Sequence, residues 1–195
     1  MATIEPAKHV ARTEALSAPF TVDDLLEIPD DGFRYELFNG SLLVSPAPTP
    51  RHQRVITRLL LILQTAAPPD LECLTTVNVR ENDENCYIPD LVVVPEKVSE
   101  RVNLMYSPRD LLLAAEVVSP TSRTQDRAVK TAAYAEAGVP VYWRIEPAEG
   151  PAVYVYELDG CSYAEPSIHK AGTTVTLSSP FPVSFDPAQL VDLRA

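Results

Sequence analysis

The segments IPDLVVVP (88–95) and LLLAAEVVSP (111–120) decide the fold class, because both are apolar runs of strand length. Near-continuous apolar runs of this kind are typical of strands that are buried on both faces of a sheet. Each run contains one misplaced acid, Asp90 in the first and Glu116 in the second. A carboxylate in such a strand is costly unless it is paired, hydrogen-bonded or bound to a cation. Asp90 and Glu116 are therefore candidate functional residues, and pairing of each with an arginine is the alternative.

Patterns on either side of these two runs predict the other elements. Each boundary comes from a turn signal, a cap or a change of hydrophobic period. The predicted helices are a short one from Thr21 to about Ile28, a long one opened by Pro50 through residue 66, and one over 122–138 that ends at Gly138. The predicted strands are 71–79, 87–94, 110–118, 139–147 and 173–177, with hairpins that turn at Asn39-Gly40 and Asp159-Gly160.

The order of these elements predicts an α/β (α+β) domain with a mixed sheet, because hairpins supply antiparallel pairs and helices supply crossovers. Residues 1–20 show no periodicity and are predicted to form a flexible N-terminal arm. Residues 21–195 contain no internal repeat and no linker, so they are predicted to form a single domain.

Composition and charge exclude several classes of protein. The chain has 195 residues with 16 basic and 27 acidic side chains, a formal net charge of −11. Such a field repels phosphate, which excludes a general DNA coat protein but allows a local basic groove. No apolar run is long enough for a transmembrane helix, and no secretory signal is visible. The three cysteines form no CxxC pair, so we expect a reduced, cytoplasmic protein without a membrane partner.

Several motifs in sequence order resemble the signature of the Uma-two family, within the PD-(D/E)XK nuclease superfamily. They are YELFNGSLLVSPAP (35–48), His52, IPDLVVVP (88–95) and the segment EVVSPTSRTQDRAVKTAAYAEAGVPVYWRIEP (116–147). The resemblance implies a restriction-endonuclease-like fold, a central mixed sheet flanked by helices, here with N-terminal and C-terminal hairpins. It also implies phosphodiester hydrolysis that depends on Mg²⁺ or Mn²⁺. Asp90 and Glu116 would be the two acids of the motif and would bind the metal.

The lysine of the motif is displaced in this chain. The superfamily places it two residues after the second acid, where this sequence has Val118. The resemblance assigns the role to Lys130, which would orient the attacking water or stabilise developing charge. Asp126, Lys130 and Tyr134 follow at helical spacing and share one helix face. The alternative for Lys130 is a solvent-exposed ion pair with Asp126.

Four further side chains are candidates for supporting roles. Glu36 would complete the metal shell, or would point outward towards an arginine. His52, beside Arg51 and Arg54, would contact phosphate, or would lie on a solvated helix face. Asp126 would fix Lys130 in place, and Tyr134 would either pack in the core or donate its hydroxyl.

We expect DNA as the substrate of an endonuclease, with RNA as an alternative substrate. A homodimer that pairs through aromatic strands near the C-terminus is a further hypothesis. A competing interpretation is a catalytically inactive nuclease-fold module that binds a protein or a nucleic acid.

Overall fold

Three sheets and four α-helices occur in the computed structural model, which describes residues 19–119, 128–148 and 150–192. The helices are α1 (Val22–Leu26), α2 (Pro50–Ala66), α3 (Glu96–Ser99) and α4 (Lys130–Glu136). The first seven strands are β1 (Arg34–Phe38), β2 (Ser41–Ser45), β3 (Leu71–Thr75), β4 (Asn78–Arg80), β5 (Cys86–Tyr87), β6 (Leu91–Pro95) and β7 (Met105–Tyr106). The others are β8 (Leu113–Val117), β9 (Val141–Glu146), β10 (Ala152–Asp159), β11 (Ser162–Tyr163), β12 (Ser167–Lys170), β13 (Val175–Leu177) and β14 (Val183–Phe185).

The largest sheet has seven strands and forms the centre of the domain. Its order is β11-β10-β9-β8-β6-β3, and β12 also pairs with β10. The β8–β9 pair is parallel, whereas β3–β6, β6–β8 and β9–β10 are antiparallel, so the predicted mixed sheet is confirmed. A second sheet has the order β2-β1-β5-β4-β7, and β13 pairs with β14 in a third.

Helices cover both faces of the central sheet. The apolar face of α2, with Val55, Ile56, Leu59 and Leu63, packs in one core with β8 and β9. Tyr134 of α4 belongs to the core on the opposite face. Burial of a large apolar side chain stabilises a fold by about 1.5–3 kcal/mol, so the two cores hold the helices against the sheet. This is the predicted flanked-sheet architecture.

Turn and capping residues explain the β1–β2 hairpin and the start of α2, both of which the sequence predicts. Asn39 and Gly40 have φ values of 49° and 69°, as a tight turn between β1 and β2 requires. Helix α2 starts with Pro50 at its first turn, and the Thr49 hydroxyl accepts a hydrogen bond from the backbone N–H of His52 at 3.3 Å.

Two predicted strands are wrong in detail, because each is divided between two sheets. The predicted strand 71–79 breaks at Thr76, whose φ is 57°, and continues as β4 in the other sheet. The predicted strand 87–94 breaks before Leu91, at Pro89, which has no N–H to donate. The backbone N–H of Thr76 donates to the carbonyl of Asp90 at 3.3 Å, so the two breaks lie side by side.

Other predictions have mixed outcomes. The short helix α1 and the hairpin that turns at Asp159-Gly160 are confirmed. Strands β7, β12 and β14 are additional to the predicted strands. The start of the predicted helix 122–138, the predicted arm up to residue 18 and Asp126 lie outside the described residues. No helix in the described part of the chain is long and apolar enough to cross a membrane.

Candidate active site

The junction of the two large sheets gathers a set of buried charged side chains around one cavity of about 270 Å³. Asp90 comes from the break before β6, Glu116 from β8, Glu36 from β1 and Lys130 from the first residue of α4. All four are at most 5% exposed. Distant parts of the chain therefore supply one polar site inside an otherwise apolar region.

Lys130 lies between two glutamates. Its Nζ is 2.9 Å from Oε1 of Glu116 and 3.1 Å from Oε2 of Glu36. Glu36 also accepts a hydrogen bond at 2.9 Å from the backbone N–H of Ile88. The solvent-exposed alternative for Lys130 and the outward alternative for Glu36 are therefore both wrong. Buried charges that pair and hydrogen-bond in this way avoid most of their desolvation cost.

Tyr134 lies one helical turn after Lys130 on α4 and contacts Glu116. Its hydroxyl donates to Oε1 of Glu116 at 2.8 Å, and its ring meets that of Tyr87 edge-on. Burial, together with the negative charge of Glu116, raises the pKa of Tyr134 well above its ordinary value. Tyr134 therefore both packs in the core and donates its hydroxyl, two roles that the sequence presented as alternatives.

Asp90 is surrounded by donors. Its Oδ2 accepts a hydrogen bond at 2.9 Å from the backbone N–H of Val117, and His52 Nε2 lies 3.2 Å from the same oxygen. Burial opposes ionisation of Asp90, but the hydrogen bond and charge of His52, the charge of Lys130 and the Val117 N–H outweigh it. The net effect lowers the pKa of Asp90. Asp90 is thus held as a carboxylate.

His52 belongs to the site rather than to a solvated helix face. Its side chain is 12% exposed, and its Nε2 lies 2.9 Å from the carbonyl oxygen of Val117. Burial lowers the pKa of His52, while the hydrogen bond and charge of Asp90 raise it, and the net shift is upward. Arg51 and Arg54 are exposed and bind the backbone carbonyls of Pro147 and Pro50, so His52 enters the site without them.

Arg34 is the arginine partner of Asp90, as the alternative interpretation of Asp90 allowed, but no sequence pattern identified it. Its Nη1 lies 3.3 Å from Oδ1 of Asp90, its side chain is 22% exposed, and it lines the cavity. An arginine at the start of a strand carries no special signal. The available hint was its position two residues before Glu36, which places the two side chains on the same face of β1.

The donor set has the chemistry of a site for a hard divalent cation. Carboxylate oxygens of Asp90, Glu116 and Glu36 face one cavity, and Mg²⁺ prefers oxygen ligands. In the described ranges, however, no three acidic, histidine or cysteine side chains converge closely enough to form a complete ligand set. Two carboxylates with coordinated waters suit Mg²⁺, so the chemistry of Asp90 and Glu116 fits the ion.

The motif position two residues after Glu116 is filled by a buried valine. The backbone N–H of Val118 donates to the carbonyl of Ile145 at 2.9 Å and extends the pairing of β8 with β9. Among the described residues, Lys130 is the lysine that reaches the acids. The ammonium group of Lys130 therefore lies beside both glutamates, although Lys130 is on α4 and not on β8.

Comparisons with known proteins agree with this architecture. The fold is similar to the crystal structure of "a putative nuclease belonging to DUF820" from Anabaena variabilis ATCC 29413, with a TM-score of 0.71. The two chains are 17% identical, and the match covers 89% of this chain and 98% of that chain. A search of curated proteins gives no match. The model of the Uma2 family, described as "Putative restriction endonuclease", matches residues 22–191. The chain therefore belongs to the Uma2 family, as its motifs predict.

Proposed function

We propose that this protein is a metal-dependent endonuclease that hydrolyses phosphodiester bonds in DNA. The observation that carries the proposal is the cavity that three acids share with a lysine. The acids are Asp90, Glu116 and Glu36, and the buried ammonium group of Lys130 lies between the two glutamates. Family membership and the nuclease-like fold support the same reaction class.

In the proposed mechanism, Asp90 and Glu116 would hold Mg²⁺ or Mn²⁺ together with water, and Glu36 would keep Lys130 beside the ion. The ion, when bound, supplies an acidified water and positive charge for the phosphoryl oxygens. Lys130 donates hydrogen bonds from its ammonium group and thereby orients the attacking water or stabilises charge that develops on the phosphate. Tyr134 and the Val117 N–H fix the orientation of Glu116 and Asp90.

Cleavage of a supercoiled plasmid tests the proposal directly. We expect nicking in Mg²⁺ or Mn²⁺ and none in EDTA. Asp90→Asn and Glu116→Gln should each lower the rate by at least about 100-fold, because each would remove a ligand charge. Glu100→Gln, an exposed acid outside the cavity, serves as the matched control and should cleave normally. Cleavage that survives either site variant, with folding verified by circular dichroism, would contradict the site assignment.

Thermal unfolding tests metal binding without any assumption about the substrate. At a metal concentration about tenfold above Kd, binding stabilises the folded state by roughly 1.4 kcal/mol. The melting temperature should then rise by about 3–5 °C in the wild type and should not change in Asp90→Asn. An equal rise in both proteins would place the metal elsewhere.

A catalytically inactive nuclease-fold module is the second candidate. Lys130 already neutralises charge on Glu36 and Glu116, and Val118 fills the usual lysine position. This candidate predicts no effect of metal on stability or on binding. Metal-dependent cleavage of RNA in preference to DNA would instead keep the reaction class and change the substrate.

A homodimer through the aromatic strands near the C-terminus remains a prediction, and its interface would have to use a strand that is not already paired on both sides. Strand β10 pairs on both sides, with β9 and with β11 and β12, and Tyr142 and Tyr156 are buried within the fold. A second copy would therefore pair with an outer strand, such as β11 with its Tyr163, rather than with β9 or β10. Light scattering would distinguish the mass of one chain from that of two.

A further inference from the structure

We infer that Arg34 binds a phosphate group of the substrate, and the inference rests on the proposed nuclease function. The mechanism above gives Arg34 no role, and no motif singled it out. Its guanidinium nevertheless reaches the same cavity as the candidate metal ligands.

The contact between Arg34 and Asp90 is easily given up. It joins a single nitrogen, Nη1, to Oδ1 at 3.3 Å, which is long for a charge-assisted hydrogen bond. Asp90 is held independently through its other oxygen by the N–H of Val117 at 2.9 Å and by His52 at 3.2 Å. Removal of Arg34 from Asp90 therefore leaves the carboxylate in position.

The side chain of Arg34 also has the exposure and the shape that phosphate binding requires. It is 22% exposed, compared with 7% for the side chain of Lys130, which is committed to two glutamates. A guanidinium presents several donors in a planar fork that matches two oxygens of a phosphodiester. Arg34 is thus the charged cavity residue best able to exchange a carboxylate for a phosphate.

The charge balance indicates when this exchange is favourable. Among the described residues that line the cavity, the carboxylates of Asp90, Glu36 and Glu116 face the permanent cations Arg34 and Lys130 and the titratable His52. A divalent ion in the site would add two positive charges to that balance. Asp90 would then be neutralised without Arg34, whose charge becomes available to an incoming phosphodiester.

The alternative is that Arg34 is a counter-charge that keeps Asp90 ready for metal. The two roles predict opposite effects on metal affinity. A competitor for Asp90 weakens metal binding, so its removal leaves the affinity unchanged or tighter. A supporting counter-charge strengthens the site, so its removal weakens the affinity.

Two binding measurements on the full chain test the inference. The first is fluorescence anisotropy of a short fluorescein-labelled DNA duplex in Ca²⁺ at several salt concentrations, with intact duplex verified on a gel. The second is calorimetric titration of Mn²⁺ without DNA. The proteins are wild type, Arg34→Ala, Arg34→Lys and Arg109→Ala, which removes the same charge at an exposed position outside the cavity.

We expect Arg34→Ala to bind the duplex about tenfold more weakly, with a salt slope smaller by about one, because one phosphate contact is lost. Arg34→Lys should bind with intermediate affinity, and Arg109→Ala should match the wild type. Mn²⁺ affinity should be unchanged or tighter in Arg34→Ala.

Two results would overturn the inference while the nuclease proposal stands. One is duplex binding by Arg34→Ala that equals that of Arg109→Ala. The other is a lower Mn²⁺ affinity in Arg34→Ala than in Arg109→Ala. A wild type that binds neither Mn²⁺ nor the duplex would refute the proposed function and the role of Arg34 together.

Discussion

At the scale of single residues, the buried Lys130 lies between the carboxylates of Glu36 and Glu116. Four of the residues that the sequence singled out, Asp90, Glu116, Glu36 and Lys130, meet at one cavity. Acids in apolar strands are visible in a sequence because they violate the strand pattern. Arg34 violates no pattern, and its partner Asp90 is 56 residues away in sequence, so only the fold reveals it.

Lys130→Met should reduce the free energy of unfolding strongly. Removal of one partner of a buried ion pair costs about 3–5 kcal/mol, because it leaves an uncompensated buried charge. Lys97→Met, an exposed lysine on α3, is the matched control and should change stability by less than about 0.5 kcal/mol. Urea unfolding at neutral pH measures both. A loss for Lys130→Met no larger than that of the control would show that Lys130 is solvated in solution.

Asp90→Asn should show a loss of stability that depends on pH. The folded-state pKa of Asp90 lies below its ordinary value of 3.8, so the ionised carboxylate stabilises the fold above about pH 4. This contribution disappears as pH falls through the lower folded-state pKa.

Unfolding free energies of wild type and Asp90→Asn should therefore differ by about 1–3 kcal/mol at pH 7 and converge at acidic pH. The measurement is a series of urea titrations of metal-free protein between neutral and acidic pH. A difference that stays constant over that series would contradict the lowered pKa.

At the scale of elements, hairpin β1–β2 carries Arg34 and Glu36, and its turn is anchored against the segment before α1. The carbonyl of Gly40 accepts a hydrogen bond from the N–H of Phe20 at 2.9 Å. A Cβ at Gly40 would collide with the side chain of Pro19. The turn thus cannot accept a side chain without moving its neighbour.

Gly40→Ala should therefore destabilise the protein more than Gly32→Ala. Both glycines have positive φ, 69° and 82°, so each substitution costs about 1–2 kcal/mol in backbone strain. An added Cβ at Gly32 meets nothing within 4 Å, which makes it the matched control for the collision at Gly40. Equal losses in urea unfolding would mean that Pro19 does not pack on the turn.

Element prediction failed where the chain passes from one sheet to another. The pattern of LECLTTVNV (71–79) fits a single strand throughout, yet Thr76 turns the chain and β4 pairs in a different sheet. Hydrophobic period reports which face of a strand is buried, and it contains no information on which strand lies beside it. The same limit explains the division of 87–94.

At the scale of the whole molecule, the fold class can be predicted from local sequence patterns. Apolar strands, one long amphipathic helix and an Asn-Gly hairpin all indicate a mixed sheet flanked by helices. The arrangement of the three sheets did not follow, because it depends on contacts between segments far apart in sequence.

Thiol reactivity tests this arrangement of the whole chain. Burial raises the pKa of Cys73 and of Cys86 to about 11, whereas Cys161 is exposed at the β10–β11 turn. At pH 8 a thiol reagent such as DTNB should react rapidly with Cys161 in the native protein and with all three cysteines in denaturant.

Cys161→Ser is the control and should remove the rapid phase. Rapid labelling of Cys73 in the native state would show that the central sheet is exposed to solvent there. Rapid labelling of Cys86 would show the same for the second sheet.

The interruptions of the strands at Thr76 and Pro89 have a consequence for the integrity of the site, because they divide its residues between two sheets. The central sheet contains Glu116 and, at its margin, Asp90. Glu36 and Arg34 lie on β1, in the second sheet, β2-β1-β5-β4-β7. A chain whose hairpin has not yet docked therefore has an incomplete constellation around the cavity. Under the proposed function, cleavage would therefore require both sheets to be in place, so a copy whose β1–β2 hairpin has come loose would not cut nucleic acid.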